Sequence, residues 1–317
     1  MTLSALGIFS AAGASSIPIG TGAGYTLGGF NAAFQYITTV DKFDLTNDSR
    51  STLGTGLSVA NRSQGAVNDV SKGYIARGNV TSERSRVYRL TFSTDVLALL
   101  GATLSGAFES MAGASSTTNG YFMGGADNAG NQYSQVDKLN FSAETNSTLG
   151  TGLSSARGGG FGLQSSTHAY AAGGRTANAG PAVTTIDKFA FTNDARTTLG
   201  TGLNTAVDYG TGCPSSTTAG YTMGGYNSSG SLVNAIQKIT FATDATSTLA
   251  ATLSVATGAG SMSGFQNNVA GYGTGGDTAG GYVSTVSKLL FSTETNSNLA
   301  TGLSATRILM GALSNKG

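Results

Sequence analysis

The chain has no tryptophan, one cysteine, one histidine and few charges: 17 Lys plus Arg against 16 Asp plus Glu in 317 residues. Each shortage excludes something. A single cysteine, Cys213, cannot build an internal disulfide framework. The lone His168 has no second histidine or cysteine near it in sequence with which to act as a general base. A net charge of +1 supplies no long-range field to gather nucleic acid or an anionic membrane surface. No run of 18 apolar residues occurs, so neither a membrane-spanning helix nor membrane insertion is expected. The opening MTLSALGIFSAAGASS is small and apolar, as a signal peptide is, but it lacks a positive n-region. It also matches TLSGAFESMAGASS at 103–116, so it reads as part of a repeat.

What is abundant is glycine, 48 residues. Glycine weakens strand interiors by roughly 0.5–1 kcal/mol each, so this many implies disorder or a fold with many turns. The apolar residues decide between the two, because they recur in register. Tyr25, Tyr74, Tyr121, Tyr170, Tyr221 and Tyr272 mark six copies of a unit of about 49 residues. A Gly pair begins three residues after five of these tyrosines; the second copy has Arg77-Gly78 instead. Further on come VDKFDL, VYRLTF, VDKLNF, IDKFAF, IQKITF and VSKLLF. A polar turn follows, carrying Asp48, Asp95, Glu144, Asp194, Asp244 or Glu294, and then leucines four apart, as in Leu149 and Leu153. A disordered Gly/Ser chain has no reason to hold Tyr, Phe and Leu in such columns.

Each copy carries four short apolar runs spaced roughly 10–13 residues apart, which suits antiparallel strands. No window keeps apolar residues at i, i+3, i+4 and i+7 over three turns, so helix should be scarce. Four strands per copy in six copies predict an all-β, six-bladed β-propeller with four antiparallel strands per blade, occupying 1–317 as one domain. The repeats run approximately over 5–57, 58–104, 105–153, 154–203, 204–253 and 254–303, and 304–317 is a surplus or closing strand. Residues 2–13 also resemble a first strand, so one end should close the ring.

LSxAR, then a Gly/Ala-rich strand, GYxxGG, V-x-[KR]-F/L and a T-L-x-T strand resemble the kelch repeat. The Gly pair after an aromatic is that family's most specific mark. The absence of tryptophan departs from it: leucines such as Leu53 and Leu149 stand where the family often places one. Phrases such as IDKFAFTNDARTTLGTGL, followed by SSTTAGYTMGG, look like Gly/Ser/Thr-rich kelch-type propellers of tailed bacteriophages, often among virion and tail-fibre genes. That resemblance implies a virion structural protein, tail- or fibre-associated, present in multiple copies and contacting other virion proteins or a host-surface glycan. A soluble carbohydrate-binding, lectin-like propeller is the alternative it leaves open.

No catalytic constellation, cofactor motif or metal-ligand spacing is legible, so an enzyme is not expected. GGGFG at 158–162 is not followed by Lys-Ser/Thr, so it is not a phosphate loop. The six turn acids read as tight-turn residues bonding nearby backbone N–H groups. In Asp41-Lys42, Asp137-Lys138 and Asp187-Lys188, the two neighbours face opposite ways along a strand. The links between second and third strands vary most, and flat aromatic and adaptable polar groups suit recognition. Tyr36, Tyr133, Tyr226 and Tyr282 are therefore the candidate ligand-binding residues, with packing over blade edges as the bland reading. Copy two carries six basic residues, and Arg77, Arg84, Arg86 and Arg89 are candidate assembly contacts with an acidic neighbour.

Overall fold

Six short β-sheets stand around one axis. The computed structural model describes residues 22–62, 65–76, 78, 85–211, 216–254 and 258–315. All are strand, turn or coil, and the chain is a six-bladed β-propeller of four antiparallel strands per blade. Blade three shows the pattern: Ala112–Ser115 lies innermost, followed by Asn119–Met123, Val136–Asn140 and the outer edge Thr145–Thr148. Three strands of blade five lie among the described residues. Cys213 lies outside them.

The ring is closed by the C-terminal end. Gly311–Asn315 pairs antiparallel with Ala23–Leu27 and supplies the innermost strand of blade one. The N-terminal strand-like segment at 2–13 lies outside the described residues. Third strands alternate weakly in the sequence because neighbouring blades cover both their faces: Val136, Asp137 and Leu139 are all buried.

The repeat's columns meet across the seams between blades. In each blade the phasing tyrosine stands opposite a third-strand cation, Tyr121 opposite Lys138 for example. Both reach the turn acid of the next blade: Tyr121 Oη donates to Asp194 at 2.8 Å, and Lys138 Nζ at 2.7 Å. The same tie joins Tyr25 and Lys42 to Asp95, Tyr74 and Arg89 to Glu144, and Tyr170 and Lys188 to Asp244. It joins Tyr221 and Lys238 to Glu294, and Tyr272 and Lys288 to Asp48, which completes the circle. Burial first, and then the acids, push these phenols up, so they remain donors.

The acids therefore do more than favour a turn. Their backbone is left-handed, with φ between 52° and 58°, and their carboxylates serve the neighbouring blade rather than nearby N–H groups. Five of the six tyrosines also stack on a phenylalanine of the next blade, as Tyr74 on Phe141 at 5.2 Å and Tyr221 on Phe291 at 5.5 Å. Such pairs add about 0.5–1.5 kcal/mol each beyond their burial. At the sixth seam Leu45 replaces that phenylalanine. There Phe265 fills the gap, 5.1 Å from Tyr272 and 5.3 Å from Phe43.

These ties have a pH signature. Burial opposes ionisation of Glu144, but Lys72 and Arg89 overrule it and hold its carboxyl below the usual glutamate range. Lys238 does the same for Glu294 against burial. A depressed carboxyl contributes stability that is present above its unfolded value, about 4.3, and lost as pH falls through the folded one. Urea midpoints should therefore fall as pH drops below about 4. The Glu144→Gln/Glu294→Gln double variant should show a flatter acid limb; an equally steep one would remove these two ties from the account.

The aspartates of the DK pairs turn the other way, into the blade. Asp187 accepts from the Ser154 N–H and hydroxyl in the link from the preceding blade and pairs with buried Arg157 at 3.0 Å. Asp41 does the same with Ser304 and buried Arg307. One carboxylate thus fastens each such link to the blade it feeds.

Candidate functional site

Two sets of loops share one end of the propeller. The links that lead into blades one, three, four, five and six pair with the base of that blade's hairpin between second and third strands. Phe30–Asn31 pairs with Arg307–Ile308, and Val207–Asp208 with Tyr226–Asn227. Isolated bridges join Glu109 to Ala126, Gly158 to Arg175 and Gly260 to Asp277. The variable hairpins therefore crown one face of the propeller, around its narrower mouth.

At the axis itself the space is small. Gly159 N–H donates to Ser110 C=O, Tyr209 N–H to Gly159 C=O, Ser261 N–H to Tyr209 C=O and Leu309 N–H to Ser261 C=O. All five residues are left-handed, with φ between 46° and 68°, and the bonds run head to tail around the mouth. Beneath them the inner strands touch: a Cβ on Gly113 or Gly162 would sit 2.0 Å from a carbonyl oxygen of the adjacent inner strand. The cavity left at this mouth is about 110 Å³, lined by groups such as Met111, Tyr209, Met262 and Met310. Ligand pockets for drug-sized molecules run to roughly 300–1,000 Å³. The opposite mouth is a wider bowl of about 490 Å³ whose rim is mostly hydroxyl and amide, as at Ser116, Gln164 and Gln266, with Asp69 as its one charged group among the described residues.

One titratable group of residues borders the narrow mouth. Arg175 Nε donates to buried Asp208, lies over the Tyr209 ring at 4.7 Å, and leaves Tyr226 to bond Asp277 at 2.7 Å. Burial pushes the Asp208 carboxyl up against the pull of Arg175. The group is internally paired. His168 lies elsewhere, bonded to Thr167 Oγ1 at 2.8 Å, and burial followed by Lys188 pushes its imidazole down, leaving it neutral near pH 7. Among the described residues no group of three or more His, Cys, Asp or Glu could hold a metal ion.

The four candidate tyrosines divide in two. Tyr133 packs on Phe108 at 4.6 Å and donates to Asp127, and Tyr226 is committed to Asp277. Tyr36 and Tyr282 converge, although 246 positions separate 36 from 282, because blades one and six are neighbours. Both flank Phe30, at 5.5 and 6.4 Å, and Phe34 lies 6.4 Å from Tyr282 and 6.0 Å from Phe30. The Arg62 guanidinium covers Phe30 and Tyr36 at 5.1 and 5.4 Å. The result is an aromatic patch at the blade six–blade one seam.

Phe34 is its most telling member. It is 76% exposed, and its φ is 60° at the hairpin tip. Sister tips in blades three, five and six place Gly130, Gly230 and Gly281 there, also at positive φ. A left-handed backbone costs an L-residue roughly 1–2 kcal/mol, and an exposed ring recovers little of it by packing. Phe34, Phe30 and Arg62 were not singled out from the sequence. The signal was present in FNAAFQY, whose tip carries a ring where ADNAGNQ carries glycine.

Of the candidate assembly cations, Arg89 is committed to Glu144 at 2.9 Å and Arg86 is half-buried in the third strand of blade two. Arg77 and Arg84 lie outside the described residues.

No protein-family model and no curated protein matches the chain. Among solved structures, that of YjhT is similar to it: TM-score 0.67, 13% identity, 86% of this chain and 96% of that one covered. At that identity the likeness concerns the propeller fold alone.

Proposed function

We propose that the chain is a non-enzymatic recognition propeller on the exterior of a bacteriophage virion, tail- or fibre-associated, that attaches to a host-surface glycan. The observation that carries the recognition part is Phe34, an exposed ring held in a costly backbone beside Phe30, Tyr36 and Tyr282. Flat aromatic faces present apolar area at low conformational cost and suit the C–H faces of a sugar ring, while Tyr hydroxyls and Gln35 offer hydrogen bonds. The virion part rests on the resemblance of the repeats to kelch-type phage propellers. A free lectin-like propeller uses the same patch, and mass spectrometry of purified particles separates the two readings.

Stability and recognition should respond oppositely at one position. Phe34→Gly removes the ring and relieves the left-handed strain, so it should raise unfolding free energy by about 0.5–1 kcal/mol. The same variant should lose at least about tenfold in glycan-array binding or host-cell adsorption, equivalent to about 1.4 kcal/mol. A variant that is stabilised yet still binds fully would sink the patch as the recognition site.

A further inference from the structure

The outer edge of blade two differs from its sisters. It is the eight-residue strand Val96–Thr103, VLALLGAT. The corresponding edges of blades one, three, four and six read SRST, TNST, RTT and TNSN, and that of blade five ATSTLAAT. Val96 is 56% exposed and Leu99 37%, and no charged residue occurs from 96 to 108. A strand edge presents unpaired N–H and C=O groups, and natural edges are blunted with charge, proline or bulges. This edge lacks charge and proline over its whole length; its single register irregularity lies between Leu99 and Thr103, which leaves Val96–Leu99 in regular register.

We infer that this edge is a dimerisation strand: it pairs antiparallel with the same strand of a second copy of the chain. Three observations favour a second copy over another occupant. The edge is self-complementary, since antiparallel pairing over its regular stretch Val96–Leu99 sets Val opposite Leu and Leu opposite Ala with no charge on either side. The chain's net charge of +1 offers no repulsion between copies. Among the described outer edges only this one is apolar with exposed Val and Leu side chains, so pairing uses one surface per chain and closes on a two-fold axis instead of growing into a fibre.

The test is sedimentation of the full chain at roughly 100 µM, where a micromolar complex is assembled. The wild type should sediment as a dimer. Leu99→Lys and Val96→Lys should weaken association at least about tenfold by placing an unpaired charge in the interface, with far-UV circular dichroism and melting unchanged. Ser51→Lys, on the polar edge of blade one, should leave the dimer intact. If Leu99→Lys misfolds, Val96→Lys decides, because its side chain is the more exposed. A monomeric wild type, a Val96→Lys chain that still dimerises, or equal disruption by Ser51→Lys each overturns the inference.

Discussion

A chain ending at Leu309 should fail to fold cooperatively. The missing segment contains Gly311–Asn315, which pairs along the full length of Ala23–Leu27. It also contains Leu313, 1% exposed between blades one and two, whose loss alone is worth about 2–5 kcal/mol. Ser314 Oγ accepts from the Gln266 N–H of blade six, so the strand joins both neighbours. Against a net stability of about 5–15 kcal/mol for a typical domain, these losses together suffice to open the ring. The expected result is a broad thermal transition and aggregation through the exposed inner edges, read by circular dichroism and size-exclusion chromatography. A synthetic peptide spanning 304–317 should restore a sharp transition. A truncated chain that melts as sharply as wild type would mean that the seam ties close the ring unaided.

The second large effect lies beneath the same strand. Arg307 is fully buried and donates to Asp41 at 2.7 Å, to Thr26 Oγ1 at 2.9 Å and to the Thr39 carbonyl at 3.2 Å. Arg307→Met should destabilise by about 3–5 kcal/mol, most of it the cost of stranding a buried carboxylate. Removing the charge as well, in Arg307→Met/Asp41→Asn, should recover a substantial part. The sister blades argue for that outcome. Val207 stands in the Arg307 column of blade five, where Gln237 replaces the aspartate and still bonds Thr205 in the link. Denaturant unfolding of the two variants decides the matter; a double variant no better than the single one would make the guanidinium's packing, not the stranded charge, the dominant loss.

Much of this architecture was legible because a propeller repeats its reasons. Tyr121, Lys138 and Asp194 each occupy a column, and columns can be read without knowing what they touch. What they touch was hidden, because each tyrosine bonds an acid 70 to 74 residues further on, or 224 residues back at the closing seam. Only the ring arrangement makes those positions neighbours. The turn acids therefore read as local turn formers when their carboxylates serve the next blade. The recognition patch was half legible for the same reason. Tyr36 and Tyr282 stood out as aromatic departures in variable links, but their convergence depends on closure between first and last blades. Phe34 betrays itself only as a bulky ring in a backbone conformation that the described sister tips give to glycine or to the small Ala179.

Donation of the closing strand from the far end also sets a clock on synthesis. Ala23–Leu27 leaves the ribosome early, and its partner Gly311–Asn315 follows only after blade six. At about 5–20 residues per second, blade one waits roughly 15–60 s for its inner neighbour. During that interval blades two to four can dock through their own ties, each needing only the next copy. Blade one meanwhile presents an unpaired edge, AGYTL, to the cell. The sixth seam matures in the same final step, since Tyr272 and Lys288 of blade six reach back to Asp48. Nascent chains stalled short of residue 311 should therefore recruit holdase chaperones at blade one, and extension through Asn315 should free them.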